Sequence, residues 1–430
     1  MVESPHMLEN VTTLDSTEKP VKGEKKVAKQ KSSNFIYFLI QMFASFADNM
    51  TNQFLPVYTR RLGASETQMG LFTAVSNVGK TGFQPLWGRL SDYKGRKVFM
   101  LSGSFIAMAS IFTMIFAHTP GQVIISVALY AFSFSIFFPA WQGAIADYTE
   151  GKKRGGFMGR LLGVSYIYIA IALLAYTFIV PILHISDLAQ FRLVIAIAGV
   201  NFGIVTLISW VMIDLKNPDT SEDHESMLTP LKDAAFRKFL IVILFWWFWM
   251  SLAWSYFPLV ISDVINATPI QVAYIAISAT LLQAVTSYSL ADYIDRVGER
   301  RAIFIGFLSF TVVPINYAFA TSWYWLIPAQ LISGIGRGFG FAALQSYLIE
   351  MGGSKRAGNY QGIYQLLWGV VTFTGSLLGG LILGWYVQYL GDISKALTIS
   401  LLVIAVLRLS SNIVIYKFLP DPVSELQDYQ

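Results

Sequence analysis

The stretch Gly88-Arg-Leu-Ser-Asp-Tyr-Lys-Gly-Arg-Lys97 forms a short charged turn between two long apolar stretches. A related turn follows later in the chain, which reads Leu290-Ala-Asp-Tyr-Ile-Asp-Arg-Val-Gly-Glu-Arg-Arg301, so that Asp292 lies 200 residues after Asp92. A charged turn that occurs twice in so apolar a chain indicates two copies of one membrane-embedded unit. The repeat therefore predicts a membrane protein built from two equivalent halves.

The composition also indicates a membrane protein. Hydrophobic residues make up 54% of the chain and charged residues only 13%, whereas soluble domains carry about 25% charged residues. The net charge of +5 is spread between apolar segments instead of gathered on one face, so we expect no nucleic-acid partner. Because the sequence contains no cysteine, it offers no disulfide and no thiolate metal site.

Twelve segments are apolar and long enough to cross a bilayer, which takes about 20 residues. We predict an all-α membrane protein with six-helix bundles at 34–213 and 238–418, a cytosolic linker at 214–237, a disordered tail at 1–33 and a second tail at 419–430. The predicted segments are 34–59, 68–89, 98–117, 121–146, 158–183, 190–213, 238–262, 270–291, 302–320, 323–349, 358–389 and 393–418.

Lysine and arginine are concentrated on one side of the predicted helices. Most of the 31 basic residues fall in the two tails and the even-numbered connections, and the odd-numbered connections hold Arg60, Arg61, Arg192 and Lys395. Basic residues favour the cytosolic side of a membrane. We therefore expect cytosolic termini, cytosolic charged turns and a multi-pass protein of the plasma membrane.

The first charged turn resembles the signature loop of the major facilitator superfamily, a family of secondary transporters. The resemblance is carried by Gly88, Leu90, Asp92, Gly95, Arg96 and Lys97. Tyr93 departs from the family pattern, which more usually has an arginine there, and the stretch from Asp147 to Arg154 resembles the family's second loop motif. The resemblance covers about residues 34–418 and implies two six-helix bundles, transport by alternating access and a monomer.

By this resemblance the residues of the charged turns are gating residues and do not bind substrate. They are Gly88, Asp92, Gly95, Arg96 and Lys97 in the first turn, Asp147 and Arg154 after segment 4, and Asp292 and Arg300 in the second turn. We expect Arg96 to pair with Asp147, and Asp92 to meet the positive dipole end of segment 11. Such contacts would hold the cytosolic side closed. The alternative is that the turn only anchors the chain at the membrane surface.

Two charges lie on matched polar stripes inside the membrane. Segment 1 carries Gln41, Ser45, Asp48 and Asn52, and segment 2 repeats the spacing with Thr73, Asn77, Lys80 and Gln84. A charge at mid-bilayer costs roughly 2.5–3.5 kcal/mol, so it indicates a function. We expect Asp48, Asn52, Lys80 and Gln84 to line a water-filled cavity and to bind substrate or protons. The alternative is a structural ion pair between Asp48 and Lys80.

Segments 7, 10 and 11 supply the remaining candidate residues for substrate binding. Arg337 lies among four glycines in segment 10, which by the resemblance flanks the central cavity; the alternative is a structural role. Trp254, Gln365 and Trp368 are predicted to form an aromatic wall with an amide donor, which suits a small organic solute.

Three further residues are predicted to lie away from the cavity. Trp246 and Trp249 are expected to face lipid. Arg408 in segment 12 is expected to extend its charged group toward the membrane surface or to pack beside Asn412. The resemblance implies that segment 12 is peripheral, which argues against a role for Arg408 in transport.

The first functional hypothesis is a proton-coupled secondary transporter of a small organic solute, with Asp48 as the coupling carboxylate. Lys80 and Arg337 favour an anionic or hydroxylated solute, such as an organic acid or a sugar-like compound. The alternative within the class is proton-coupled multidrug efflux, although segment 5 lacks the Gly-Pro-Gly-Gly-type pattern of the superfamily's drug antiporters.

Other classes of function find little support in the sequence. It has no Walker-type phosphate loop and no His-Glu-x-x-His motif, so we expect no cofactor, no metal and no enzymatic activity. A membrane sensor or an intramembrane enzyme is the remaining alternative. The expected partners are the small-molecule substrate, protons and the lipid bilayer.

Overall fold

A computed structural model describes residues 22–149, 154–212, 228–289 and 297–420. Within these ranges the chain forms helices and no β-strand. Nine of the described helices are long and apolar enough to cross a membrane. The predicted fold class, an all-α membrane protein, is therefore confirmed.

In the first half, the part of the chain that the structure describes forms seven α-helices. They are α1 (Lys22–Arg61), α2 (Glu66–Thr81), α3 (Gln84–Lys94), α4 (Arg96–Ile115), α5 (Pro120–Tyr148), α6 (Arg154–Ile179) and α7 (Asp187–Val211). α1 begins within the stretch predicted as a tail, because the Lys, Glu, Gln and Ala residues there are strong helix formers. Segment 2 is divided into α2 and α3, with Pro85 in the first turn of the second piece.

The described residues of the second half form seven more α-helices. They are α8 (Ala234–Leu252), α9 (Tyr256–Leu259), α10 (Pro269–Ser289), α11 (Glu299–Ala318), α12 (Leu326–Ile335), α13 (Phe341–Leu390) and α14 (Ile393–Phe418). Segment 7 is interrupted by a turn at 253–255 and ends in a π-helical stretch, Val260–Val264. Segment 10 comprises α12, a second π-helical stretch at Gly336–Gly340, and the first part of α13.

Helix α13 contains the end of segment 10 and all of segment 11, and both of these parts contact α8. The ring of Phe239 in α8 is 5.0 Å from that of Tyr347 and 6.1 Å from that of Tyr364. In a straight helix, residues 17 positions apart would be separated by about 25 Å. The chain therefore reverses direction between these two tyrosines, as expected of two antiparallel membrane helices.

The two charged turns share one backbone conformation. Gly95 precedes α4 with φ 91° and ψ 144°, and Gly298 precedes α11 with φ 82° and ψ 147°. This region of φ and ψ is open essentially to glycine alone. The glycine before the following helix thus has the same conformation in both halves, as the sequence repeat predicts.

The two halves meet closely at the end of the molecule opposite the first charged turn, hereafter the far end. Gly70 of α2 faces Gly380 of α13 so closely that a Cβ on either would lie within 2.7 Å of the other's Cα. At the other end of α2, Gly369 of α13 lies against Thr81. Small residues allow membrane helices to approach in this way. The far end is therefore closed between α2 and α13.

Candidate functional site

Asp48 and Lys80 form an ion pair between α1 and α2. The Lys80 Nζ lies 2.6 Å from Asp48 Oδ1 and donates a second hydrogen bond of 2.9 Å to Asn52 Oδ1. The Asn52 Nδ2 donates to Asp48 Oδ2 at 3.0 Å. The side chains of Asp48 and Lys80 are 27% and 14% exposed, so the pair is not sealed inside the protein. The two polar stripes therefore do face each other.

Tyr130 of α5 completes this network, and sequence reasoning missed it. Its hydroxyl donates to Asp48 Oδ1 at 2.7 Å, and its ring lies 5.2 Å from the Lys80 Nζ. The ring of Phe134, one turn further along α5, lies at the same distance from that ammonium group. Such contacts stabilise a cation partly removed from water. Asp48 thus has donors from three helices, and the charge of Lys80 is held by one acid and two rings.

Gln84 lies at the start of α3, beyond the interruption of segment 2. Its side-chain amide donates to the backbone carbonyl of Lys80 at 2.8 Å. Because α2 ends at Thr81, this bond satisfies a carbonyl that has lost its helical partner. The structure thus places the Gln84 amide at the end of α2.

Arg337 lies in the π-helical stretch of segment 10 and has uncharged partners. Its Nη2 donates to Ser333 Oγ at 2.7 Å and to Gln330 Oε1 at 3.2 Å, and its Nε to the Ser333 carbonyl at 3.4 Å. Gln330 in turn donates to the Tyr317 hydroxyl at 2.7 Å. Among the described residues the Arg337 guanidinium has no acidic partner, in contrast to Lys80. π-Helical turns of this kind are frequent at functional sites.

A tyrosine from the first half lies beside the Arg337 group. Tyr166 of α6 lies close enough to Arg337 to interact with its charge. The Tyr166 hydroxyl accepts a 2.7 Å hydrogen bond from Gln283 of α10. Arg337 therefore lies where the two halves of the molecule face each other.

The two tryptophans predicted to form an aromatic wall, one in segment 7 and one in segment 11, lie in one cluster of rings. Trp254 and Trp368 have ring centroids 6.1 Å apart, and both contact Trp247, at 5.9 Å and 5.3 Å. The Trp247 indole donates to the Tyr364 hydroxyl at 2.8 Å. Gln365 is half-buried in the same part of α13. This cluster presents a large apolar surface formed by two helices.

One expectation about residues outside the cavity is wrong, and another is confirmed only in its second alternative. Trp246 does not face lipid: it is fully buried and stacks on Phe307 of α11 with ring centroids 3.9 Å apart. Of the two placements expected for Arg408, the structure has the second: it does not reach the membrane surface but is fully buried beside Asn412, whose Nδ2 donates to the Arg408 carbonyl at 3.0 Å. Its guanidinium donates to the carbonyls of Met250 and Phe310. Interior aromatic surface and freed backbone carbonyls hold these two side chains inside the protein.

The first charged turn is held to α5 by Arg96. Its guanidinium contacts Asp92, donates to Ser91 Oγ at 3.0 Å and to Asp147 Oδ2 at 3.2 Å, and lies directly over Gly143. These bonds fix the turn within the first half of the molecule.

The other residues predicted for the charged turns are less informative. Gly88 lies in contact range of Pro139, and Lys97 is half-buried. In the second turn Arg300 donates to the Tyr416 carbonyl at 2.7 Å. Asp292 and the side chain of Arg154 lie outside the described residues.

An ion cluster at the far end joins the two halves, and the sequence reasoning missed it. Arg60 of α1 lies 2.5 Å from Asp263 Oδ2 in the π-helical stretch of segment 7 and 3.0 Å from Glu66 of α2. The neighbouring Arg61 donates to the Ala267 carbonyl at 3.2 Å. The cluster reinforces the closure made by the glycines of α2 and α13.

Two helical bundles that face each other around half-buried charges define a membrane transporter. The family model of the Major Facilitator Superfamily matches residues 37–263 and 239–427. The chain belongs to that superfamily, and it is a transporter, not an enzyme.

Several relatives and a solved structure are similar to this chain. The multi-drug resistance efflux pump PmrA homolog of Lactococcus lactis is 24% identical over 85% of this chain and 91% of that protein. The quinolone resistance protein NorA of Staphylococcus aureus is 23% identical over 77% of this chain and 83% of that protein. The crystal structure of the nucleoside transporter NupG superposes with a TM-score of 0.71 at 11% identity, over 90% of this chain and 98% of that chain.

Proposed function

We propose that this protein is a proton-coupled secondary transporter of small organic solutes that carry an anionic or hydroxylated group. The observation that carries the proposal is the hydrogen-bonded network of Asp48, Lys80, Asn52 and Tyr130, whose two charged side chains are partly exposed. Protonation of Asp48 would remove one charge of the ion pair, so Lys80 would become free to bind an anionic group. Binding and protonation would then depend on each other.

The preference for an anionic group is supported by Arg337. Its hydrogen-bond acceptors are neutral oxygens. A guanidinium forms its strongest bonds with carboxylates and phosphates, which accept two parallel hydrogen bonds. An anionic solute would supply the charged partner that Arg337 lacks among the described residues. Trp254 and Trp368 would contact the solute's apolar part.

We also propose on which side of the membrane the charged turns and the closed far end lie. We place both charged turns and both termini in the cytosol, following the distribution of basic residues. The far end would then face outward, and its closure would correspond to a state in which substrate exchanges with the cytosol. We further propose the plasma membrane as the location and the monomer as the working unit.

Transport in proteoliposomes tests the coupling. Purified protein is given a pH gradient, and uptake of a panel of labelled organic acids is measured. Asp48→Asn should abolish acceleration by the gradient while uncoupled exchange persists. Asp392→Asn changes a carboxylate that caps the start of α14, a role that asparagine also fills, and should behave as wild type. Unaltered pH coupling in Asp48→Asn would refute the role of Asp48.

Multidrug efflux is a second candidate, favoured by the resistance proteins among the relatives and by the aromatic wall. The two candidates differ in the charge of the solute. Ethidium, a cation, is compared with the organic acids in the same vesicles, and growth of expressing cells is measured under toxic cations. Arg337→Gln should reduce uptake of acids and leave ethidium unaffected. Ethidium transport without acid transport would favour efflux.

A further inference from the structure

Arg408 of α14 lies fully inside the protein, between α8 and α11. Its Nη2 donates to the Met250 carbonyl at 2.7 Å and its Nη1 to the Phe310 carbonyl at 3.0 Å. The ring of Phe257 lies 5.7 Å from the guanidinium carbon. Among the described residues no acidic side chain pairs with it. Burying a charge inside the membrane costs free energy, so the hydrogen bonds of Arg408 to the two carbonyls must offset that cost.

Both carbonyls are ones that their own helices leave without a regular partner. In α11 the N–H that would bond to Phe310 belongs to position 314, which is a proline and has no N–H. In segment 7 the N–H of Trp254 would bond to Met250, but it donates instead to the Ser251 carbonyl at 3.1 Å, where the helix turns. An unpaired carbonyl inside a membrane costs several kcal/mol.

We propose that Arg408 is a positioning residue that fixes the interruption of segment 7 by bonding simultaneously to the carbonyls freed in α8 and α11. One planar guanidinium with several donors suits this role, because its donors point in fixed directions. The interruption at 253–255 contains Trp254. Arg408 thus sets the direction in which Trp254 leaves α8 and reaches Trp368.

The opposite side of the interruption is equally constrained. A Cβ on Gly379 would lie 2.3 Å from the Leu252 carbonyl oxygen, and Ser376 Oγ donates to the Ser251 carbonyl at 3.2 Å. The Tyr256 hydroxyl donates to the Gly379 carbonyl at 2.9 Å. Segment 7 is therefore clamped between α13 on one side and Arg408 on the other. Only the relevance of Trp254 to substrate depends on the function proposed above.

The test uses the absence of native cysteine, which allows spin labels at chosen positions. Cysteines replace Ile241 and Ile265, on either side of the interruption, and the distance between labels is measured by pulsed electron resonance. A straight helix would separate these positions by about 36 Å. Arg408→Met should broaden the distance distribution toward that value and lower the melting temperature.

A proline substitution separates this role from general destabilisation. Pro314→Ala supplies the missing N–H to Phe310, so it should recover part of the melting temperature lost in Arg408→Met. Pro139→Ala alters a proline inside α5 and should recover none. Equal effects of the two proline substitutions, or an unchanged label distance in Arg408→Met, would overturn the proposal.

If Arg408→Met does not fold, the two proline substitutions are compared in Arg408→Lys instead. Its ammonium group keeps the charge but presents no planar fork to two carbonyls. Pro314→Ala should then raise the melting temperature of Arg408→Lys toward that of wild type, and Pro139→Ala should not. Equal shifts would contradict the proposal here as well.

Discussion

Substitution of Gly380 by alanine should open the far end. A Cβ at Gly380 would lie 2.6 Å from the Cα of Gly70 and 2.8 Å from the Glu66 carbonyl oxygen. Ordinary contacts begin at 3.4 Å, so α2 and α13 must separate by at least the difference of 0.8 Å. Both opposing atoms belong to the backbone, so no side-chain rotation relieves the clash.

The energetic consequence follows from the cost of overpacking. Inserting a methyl group into a close-packed contact costs about 1–3 kcal/mol. Since only the closed state contains this contact, the whole cost falls on that state. A differential of this size changes a two-state equilibrium by about 5- to 150-fold. The ratio of closed to open molecules should fall by such a factor.

Spin labels at the far end measure this ratio. His118 and Thr321 are exposed at the far end of the two halves and are replaced by cysteine. Gly380→Ala should raise the population of long distances. Gly163→Ala is the matched control, because a Cβ there meets nothing within 4 Å. An unchanged distribution in Gly380→Ala, or an equal change in Gly163→Ala, would refute the reasoning.

Two further predictions concern the far-end ions and the charged turns. Arg60→Gln and Asp263→Asn are measured singly and together in the same distance assay. The two substitutions should be non-additive by about 1 kcal/mol in the free energy of far-end closure, a value between those of exposed and buried ion pairs. Effects that add within about 0.3 kcal/mol would contradict this prediction. Gly95→Ala and Gly298→Ala should each destabilise the protein by about 1–3 kcal/mol in thermal unfolding, because both glycines have positive φ. An equal loss in Gly121→Ala, which has ordinary φ and open space, would count against that cause.

The sequence was sufficient for the polar stripes but not for their cross-helix partners. The spacing of Asp48 and Asn52 places both on one face of α1, and that of Lys80 does the same in α2. Tyr130 escaped prediction because it lies in an aromatic-rich helix without a polar stripe. Its contact with Asp48 depends on how α5 is packed, which the periodicity of one helix does not specify.

Helix interruptions account for most of the remaining differences. Pro314 indicates that a backbone carbonyl in α11 lacks its helical hydrogen bond. The turn at 253–255 contains neither proline nor glycine, so the sequence does not predict the interruption of segment 7. Arg408 was consequently expected near the membrane surface or beside Asn412, and its two carbonyl partners were not foreseen. Trp246 was assigned to lipid because the run of tryptophans in α8 does not reveal which of them meets Phe307.

The position of Arg408 has a consequence for biosynthesis. A helix with a central arginine enters the membrane at a cost of roughly 2.5–3.5 kcal/mol. Its two acceptors belong to α8 and α11, which precede α14 in the chain and are synthesised earlier. The carbonyls are thus already in the bilayer when the arginine arrives. The order of the helices therefore allows the arginine of α14 to form its hydrogen bonds as soon as that helix enters the membrane. In a permuted chain that begins with α14, this helix should insert inefficiently.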